Sequence, residues 1–308
     1  MTFTAFFLIL TSIVMHSLWH FLSKSSGKPS FAFFSIFSFS LFCSVLPLGL
    51  MSGLMLKIPF SLLKYCIAGG LFGTVCDFGL IYAYKYSDIS LAYPMARALP
   101  VFFTMMATAL FGWGSRLSWI AITGMMIIFS GCLLMALSNN HAEMSRQDKM
   151  RFIRKGLPGI LLAALCTTGY TIVDSFGIKM MMDFAAENNV NNVFAAGAYS
   201  CAREIPATIS LTLCAAVCRV FGRDRGAFTS LAKSYHPYCA GFFAAGAYFL
   251  VLLAMNYVEN VSFVQSFRQL SLPFSAFLGW YILKEKITVV RWIALVMIMA
   301  GLLICIVK

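Results

Sequence analysis

Two arginines sit where an arginine is costly. Arg97, in "LAYPMARALP" (91–100), and Arg268, in "VQSFRQLSLP" (264–273), each interrupt a run of apolar residues long enough to cross a bilayer. An arginine at the centre of a membrane helix costs about 2.5–3.5 kcal/mol on insertion scales, so it faces a cavity or a partner. Its planar fork suits a carboxylate or phosphate and stays charged at any physiological pH. Two such forks closing on one ligand would bind an anionic group. Forks locked to internal acids would be structural, and Asp77, Asp174 and Glu204 are available for that. Both readings stand at this level. Tyr93 lies four residues before Arg97, and Gln265 lies three before Arg268 and four before Gln269, so a hydroxyl and two amides share faces with the arginines and can orient a polar ligand.

Other groups could join such a site. His16 and His20 are four apart in the first apolar segment, with Trp19 beside them. That spacing can hold a metal, but no third ligand accompanies it, so a lining or packing role is expected and no metal site is assigned. Tyr170 and Asp174 repeat the same spacing. Arg203 and Glu204 are adjacent, and their side chains leave a helix about 100° apart, so one of them is expected to pair elsewhere. We expect Asp77, Asp174, Arg203 and Glu204 to serve coupling or an internal ion pair. The hexapeptide "FAAGAY" occurs at 194–199 and again at 243–248, and its small residues point to close helix packing. There is no HExxH, GxSxG or nucleotide-binding loop, so no catalytic residue and no cofactor is assigned.

The elements that must hold these groups are membrane helices. Of the 308 residues 60% are hydrophobic and 11% charged, and mean hydropathy is +0.85; soluble domains carry roughly twice that charge. Apolar runs of about 20 residues recur at 3–21, 30–54, 61–84, 89–112, 117–137, 157–178, 191–218, 236–256, 261–283 and 288–307. The expected fold is an all-α membrane protein with ten transmembrane helices, since alternating strands of a barrel are absent. The first run lacks a basic flank and a cleavage site and is expected to be retained. The ten cysteines show no CxxC pair and read as buried thiols.

The net charge of +12 does not indicate nucleic acid, because it follows the topology. Connections after the odd-numbered segments carry fifteen Lys and Arg, from Lys24 and Lys28 through Arg146–Lys155 to Arg291; the other side carries only Lys57, Lys64, Arg116, Lys179 and Lys308. The positive-inside rule then puts the odd connections in the cytoplasm and both termini outside. The basic polar stretch 138–156 divides the chain into two sets of five segments, 1–137 and 157–308. At an offset of about 170 Tyr86 matches Tyr257, Asp88 matches Glu259 and Arg97 matches Arg268; after a one-residue slip Arg116 matches Lys286 and Gly131 matches Gly301. Five segments per copy inverts the second copy, an arrangement typical of carriers that expose a central site alternately to either side.

The segments "YKYSDISLAYPMARALPVFFTMMATALF" and "NYVENVSFVQSFRQLSLPFSAFLGWYILKEKITVVRWIALVMIMAGLLI" resemble the two EamA-type repeats of the drug/metabolite transporter superfamily, and "MHSLWHFLSK" and "GYTIVDSFGIK" resemble the openings of those repeats in one of its branches. The likeness covers nearly the whole chain. One departure is that "GWGSR" stands where the second half has "LKEK". The resemblance implies a secondary transporter, an exporter or exchanger, working by alternating access at a midplane site in the cytoplasmic (inner) membrane. In phosphate-carrying plastid members, basic residues of the equivalent helices bind the substrate anion. Amino acids and organic or phosphorylated anions are therefore the first expected substrates, with a cationic or zwitterionic nucleoside-derived metabolite as the alternative and an intramembrane enzyme or a channel as more distant ones. The expected partners are a small-molecule substrate, the lipid bilayer, and protons or a counter-substrate, with no nucleic acid. Family members usually carry both termini in the cytoplasm, opposite to the charge count. Cysteines introduced at Ser138 and Lys308 decide the matter: the count expects Ser138→Cys to label only from the inside and Lys308→Cys only from the outside, and the reverse pattern would overturn it.

Overall fold

In lipid every backbone N–H and C=O must be satisfied within its own segment, and the helix is the element that achieves this for a single strand of chain. The computed structural model describes residues 2–26, 30–86, 89–137, 152–221, 227–274 and 288–306, and among these residues the regular structure is entirely helical. The helices are α1 (Phe3–Ser25), α2 (Phe31–Met51), α3 (Phe60–Tyr86), α4 (Ile89–Phe111), α5 (Trp119–Leu137), α6 (Leu157–Glu187), α7 (Asn192–Val220), the short α8 (Ala227–Ala232), α9 (His236–Met255), α10 (Val261–Phe267) and α11 (Val289–Ile306). Nine helices among the described residues are long and apolar enough to span a membrane. Nine of the ten expected segments therefore appear as helices of spanning length. The most visible difference in length is α6, which runs to Glu187 rather than 178. The ninth segment is broken: α10 stops at Phe267, a 3-10 turn follows at Arg268–Leu270, and helical backbone resumes at 271–274, beyond which the segment lies outside the described residues. So do 138–151 of the polar linker, whose last five residues, Phe152–Gly156, form a π-turn leading into α6.

Local chemistry sets the boundaries. Ser30, Ser118, Asn191 and Asn260 cap α2, α5, α7 and α10 by accepting the N–H of Phe33, Ala121, Val193 and Ser262, which satisfies donors that a helix start leaves open. The α4 end is a Schellman turn: Gly112 takes φ +66° and the Trp113 N–H reaches back to the Thr108 carbonyl at 3.0 Å. Asn260 also donates through Nδ2 to the Ser115 carbonyl at 2.9 Å, which ties the α4–α5 connection to the start of α10.

The helices gather into two compact units, neither of which follows one half of the sequence. One combines 78–168 with 258–308 and has α5 packed on α11 and α4, and α10 on α4. The other combines 3–77 with 169–257 and has α1 and α2 packed on α9, and α2 on α7. In the first unit the α5–α11 contact depends on glycine. A Cβ on Gly301 would lie 2.6 Å from the Gly124 carbonyl oxygen, and one on Gly124 would lie 2.8 Å from the Gly301 oxygen. Gly301→Val must push the two backbones apart. It should cost about 1–3 kcal/mol as an overpacked contact, read as a lower Tm of the purified protein in detergent; an unchanged Tm would mean that the helices do not approach so closely.

Candidate functional site

A buried carboxylate is the centre of the polar chemistry in the unit formed by 3–77 and 169–257. Asp174 on α6 has no solvent exposure, and three donors converge on it. Tyr199 Oη donates to Oδ1 at 2.8 Å, while Arg203 Nε and Tyr248 Oη donate to Oδ2 at 2.8 and 2.5 Å. Arg203 Nη1 also donates to the carboxylate of its neighbour Glu204. The guanidinium carbon lies 4.6 Å from the Tyr248 ring centroid and 5.3 Å from that of Tyr170, within the range of cation–π attraction. Taking two ions out of water costs several kcal/mol each, and such a pair persists only where further hydrogen bonds satisfy it. Tyrosine donors on the acid and aromatic faces on the base supply that here.

The α3 backbone makes room for the pair. A Cβ on Gly69 would collide with the Asp174 carboxylate, and one on Gly73 would sit 3.4 Å from Arg203 Nη2. Gly69, Gly73 and Asp77 are spaced by four, so Asp77 continues the same face, and it interacts electrostatically with Glu204 and Arg203. The four residues expected to form a coupling or ion-pair group are thus brought together around one guanidinium. The structure differs from the sequence expectation in two respects. Arg203 and Glu204 do not diverge to separate partners, because the long arginine side chain bends to reach both acids. The repeated hexapeptide does more than pack: each copy ends in a tyrosine, and both hydroxyls reach Asp174. Sequence reasoning favours packing over a ligand role for Tyr199 and Tyr248, although the recurrence of the motif was an available signal, as was the four-residue spacing of Gly69, Gly73 and Asp77.

In α1 of the same unit, Trp19 Nε1 donates to His16 Nδ1 at 2.9 Å, and His16 Nε2 faces His20 Nε2 at 3.2 Å. The Trp19 ring lies over His20 with centroids 3.6 Å apart. The three residues thus form one half-buried chain of ring contacts.

The other unit holds Arg97 against the break in the ninth segment. Arg97 Nη2 donates to the Arg268 carbonyl at 2.9 Å and to Ser271 Oγ at 2.7 Å, and Ser271 Oγ itself donates to that carbonyl at 2.9 Å. A 3-10 turn leaves carbonyls poorly served by the helix ladder, and the arginine of one half supplies donors to the turn of the other. Arg268 is buried and its Nη1 lies 3.5 Å from Gln265 Oε1. Gln269 Nε2 donates to the Gln265 carbonyl at 3.0 Å. Gln269 Oε1 and Thr104 Oγ1 are buried with no hydrogen-bond partner among the described residues. Arg97, Thr104 and Thr108 share a face of α4, and Thr108 Oγ1 meets Ser262 Oγ at 2.8 Å, so a polar stripe runs down the α4–α10 contact. The side chain of Tyr93 lies outside the described residues.

Fold and polar interior together define an integral, multi-pass, all-helical membrane protein that keeps hydrogen-bonded charge inside its helix bundles. A solved structure titled only as the crystal structure of a protein shares the fold, with a TM-score of 0.64 and 16% identity over 99% of this chain and 96% of the other. No curated protein matches the sequence. The family model described as "Sugar transport protein" matches residues 21–308, and the chain belongs to that family, a member of the drug/metabolite transporter superfamily. It is a membrane transporter, not an enzyme.

The Asp174–Arg203 pair makes a measurable claim. Arg203→Gln should destabilise the purified protein by about 3–5 kcal/mol, because it leaves buried acids without their counter-charge, and Asp174→Asn should cost less, because Glu204 still faces the guanidinium. The double variant should lose less than the sum. Strictly additive losses in a double-mutant cycle would show that the two side chains are not in contact.

Proposed function

We propose that the protein is a secondary transporter of a neutral sugar, working by alternating access between two inverted repeats, 1–137 and 157–308, of EamA-like character in a cytoplasmic (inner) membrane. Sugars replace the amino acids and organic or phosphorylated anions expected first from sequence. Membership of the sugar transport family favours that change, and so does one observation in particular. Arg97 Nη2 donates to a backbone carbonyl and a serine hydroxyl, and Arg203 donates through Nε and Nη1 to two carboxylates. Arg203 is already matched by acids, Arg97 is tied to the turn, and Arg268 Nη1 faces the Gln265 amide oxygen at 3.5 Å, an arrangement that favours a neutral solute over an anion. What the polar stripe offers is amide and hydroxyl chemistry, from Gln265, Gln269, Thr104 and Ser271, which matches a solute made of hydroxyl groups.

The pattern of helix pairing supports the repeats. With α1–α5 assigned as counterparts of α6, α7, α9, α10 and α11, three contacts join a helix to its own counterpart: α2 to α7, α4 to α10 and α5 to α11. Arg97 meets residue 97 + 171 = 268, and Ser38 Oγ meets Thr208 Oγ, 170 residues on, at 2.9 Å. A residue that touches its own counterpart lies beside a twofold axis. The remaining contacts exchange as a twofold requires: α1 packs on α9, and their counterparts α6 and α3 meet where a Cβ on Gly79 would lie 2.7 Å from the Gly159 carbonyl oxygen.

Coupling to protons follows from charge. Asp77, Asp174 and Glu204 surround the single guanidinium of Arg203, and ionising all three would leave uncompensated negative charge in a low-dielectric interior. A proton is the smallest counter-charge that can restore the balance, and its gain and loss would tie the state of this cluster to the transport cycle.

Purified protein in liposomes, given radiolabelled D-glucose, D-galactose, D-xylose and D-ribose separately, should accumulate at least one of them. An imposed pH gradient should drive the accumulation, and Asp77→Asn should uncouple it. Uptake of amino acids or organic anions with no uptake of any sugar would overturn the reading.

A further inference from the structure

A cavity of about 520 Å³ opens in the unit formed by 3–77 and 169–257, and it shares no lining residue with the Asp174 cluster. Three chain segments meet there: the start of α1, with Thr4 and Leu8; the start of α7, with Asn191 and Asn192; and the end of α9, with Leu253 and Tyr257. The charge count puts all three, namely the N-terminus and the connections after the sixth and eighth segments, on the side poor in Lys and Arg. The cavity therefore opens on the same aqueous side of the membrane as the N-terminus.

Its lining combines two chemistries. Thr4, Asn191 and Asn192 are exposed polar residues. Asn191 uses Oδ1 to cap Val193, which leaves its Nδ2 as a donor, and neither Thr4 nor Asn192 makes a side-chain hydrogen bond among the described residues. An asparagine amide both donates and accepts, so it can serve two neighbouring hydroxyls at once. Leu8, Leu253 and the Tyr257 ring supply apolar surface beside these groups, and an aromatic ring with a polar tip suits a ligand that is apolar on one side and wet on the other. A pyranose or furanose has that division, with C–H groups on its faces and hydroxyls around its rim. At about 520 Å³ the cavity is also within the usual range of small-ligand sites, roughly 300–1,000 Å³.

We propose that this cavity is a second sugar-binding site, a vestibule on the N-terminal side that holds a neutral monosaccharide through the amides of Asn191 and Asn192 and the Tyr257 ring. The assignment rests on the reading of the protein as a sugar transporter. It adds a site outside the polar stripe and the Asp174 cluster, with its own residues.

The test reads occupancy of the vestibule directly and separately from transport. Asn192→Cys in the purified protein in detergent, where both faces are accessible, is labelled with a water-soluble maleimide, with the unsubstituted protein as background, in the presence and absence of each of the four sugars named above. A sugar at about ten times its Kd should slow labelling about tenfold by mass action. Tyr257→Ala in the Asn192→Cys background should abolish protection while labelling itself remains, which excludes a merely misfolded surface. Sugar uptake by the unsubstituted protein without protection at Asn192→Cys overturns the vestibule and leaves the transporter reading intact. Protection without uptake supports the site and overturns the transporter reading. Absence of both overturns both.

Discussion

A charge inside hydrocarbon must be neutralised within a few ångströms of where it sits, and this constraint organises the polar interior. The protein meets it in two ways. Arg203 is balanced by opposite charge, with Asp174 and Glu204 as partners and two tyrosines completing the carboxylate's hydrogen bonds. Arg97 is placed against backbone instead, where the 3-10 turn at Arg268–Leu270 presents a carbonyl and the Ser271 hydroxyl. Both solutions dictate local backbone. The first requires glycines on α3 so that its main chain can lie against the pair, and the second requires a break in a helix that would otherwise keep its carbonyls for itself.

Small residues decide which helices can meet. The α5–α11 contact is built on Gly124 and Gly301, and the α3–α6 contact on Gly79 and Gly159. Without a hydrophobic drive between helices in lipid, association depends on close van der Waals fit and on hydrogen bonds such as Ser38 with Thr208 and Thr108 with Ser262. Placing glycines and short hydroxyl side chains at the crossing points therefore specifies the bundle more sharply than the abundance of Leu, Phe and Met around them, which is equally soluble in lipid on any face.

How much of this was legible from sequence follows from the same physics. Nine of the ten apolar runs became spanning helices among the described residues because hydrocarbon leaves the backbone few alternatives, and the arginines announced polar interiors because their cost is high. Partner choice was not legible. Arg97 was weighed against ligands and acids, whereas it bonds the Arg268 carbonyl at the break in the ninth segment; the unread signal for that break was Pro273, which has no N–H to give to the Gln269 carbonyl four residues earlier. Arg203 and Glu204 were expected to separate on helical geometry, which describes Cβ directions and takes no account of the reach of a flexible side chain. The tyrosines of the repeated hexapeptide were read by the small residues before them. The grouping into two units was hidden for another reason, since each unit draws helices from both halves of the chain and no contiguous stretch carries its pattern.

The two ways of holding an arginine also differ in how readily they can be exchanged during a transport cycle. Separating the buried Asp174–Arg203 pair without replacement would cost about 3–5 kcal/mol. A hydrogen bond to a charged donor from a neutral acceptor contributes about 1.5–3 kcal/mol net, and another neutral oxygen can take its place. Under the proposed function, the Arg97 contact with the Arg268 carbonyl and Ser271 is therefore the one that a sugar hydroxyl can enter at small net cost. Gln269 Oε1 and Thr104 Oγ1, buried and without partners among the described residues, lie along the same α4–α10 stripe and would gain bonds in the exchange. The Asp174 cluster is held too firmly to be displaced by a neutral solute, and a change in its charge requires a proton instead. A neutral ligand and a proton would then act on different elements, and that separation is what allows one to be coupled to the other rather than to compete with it.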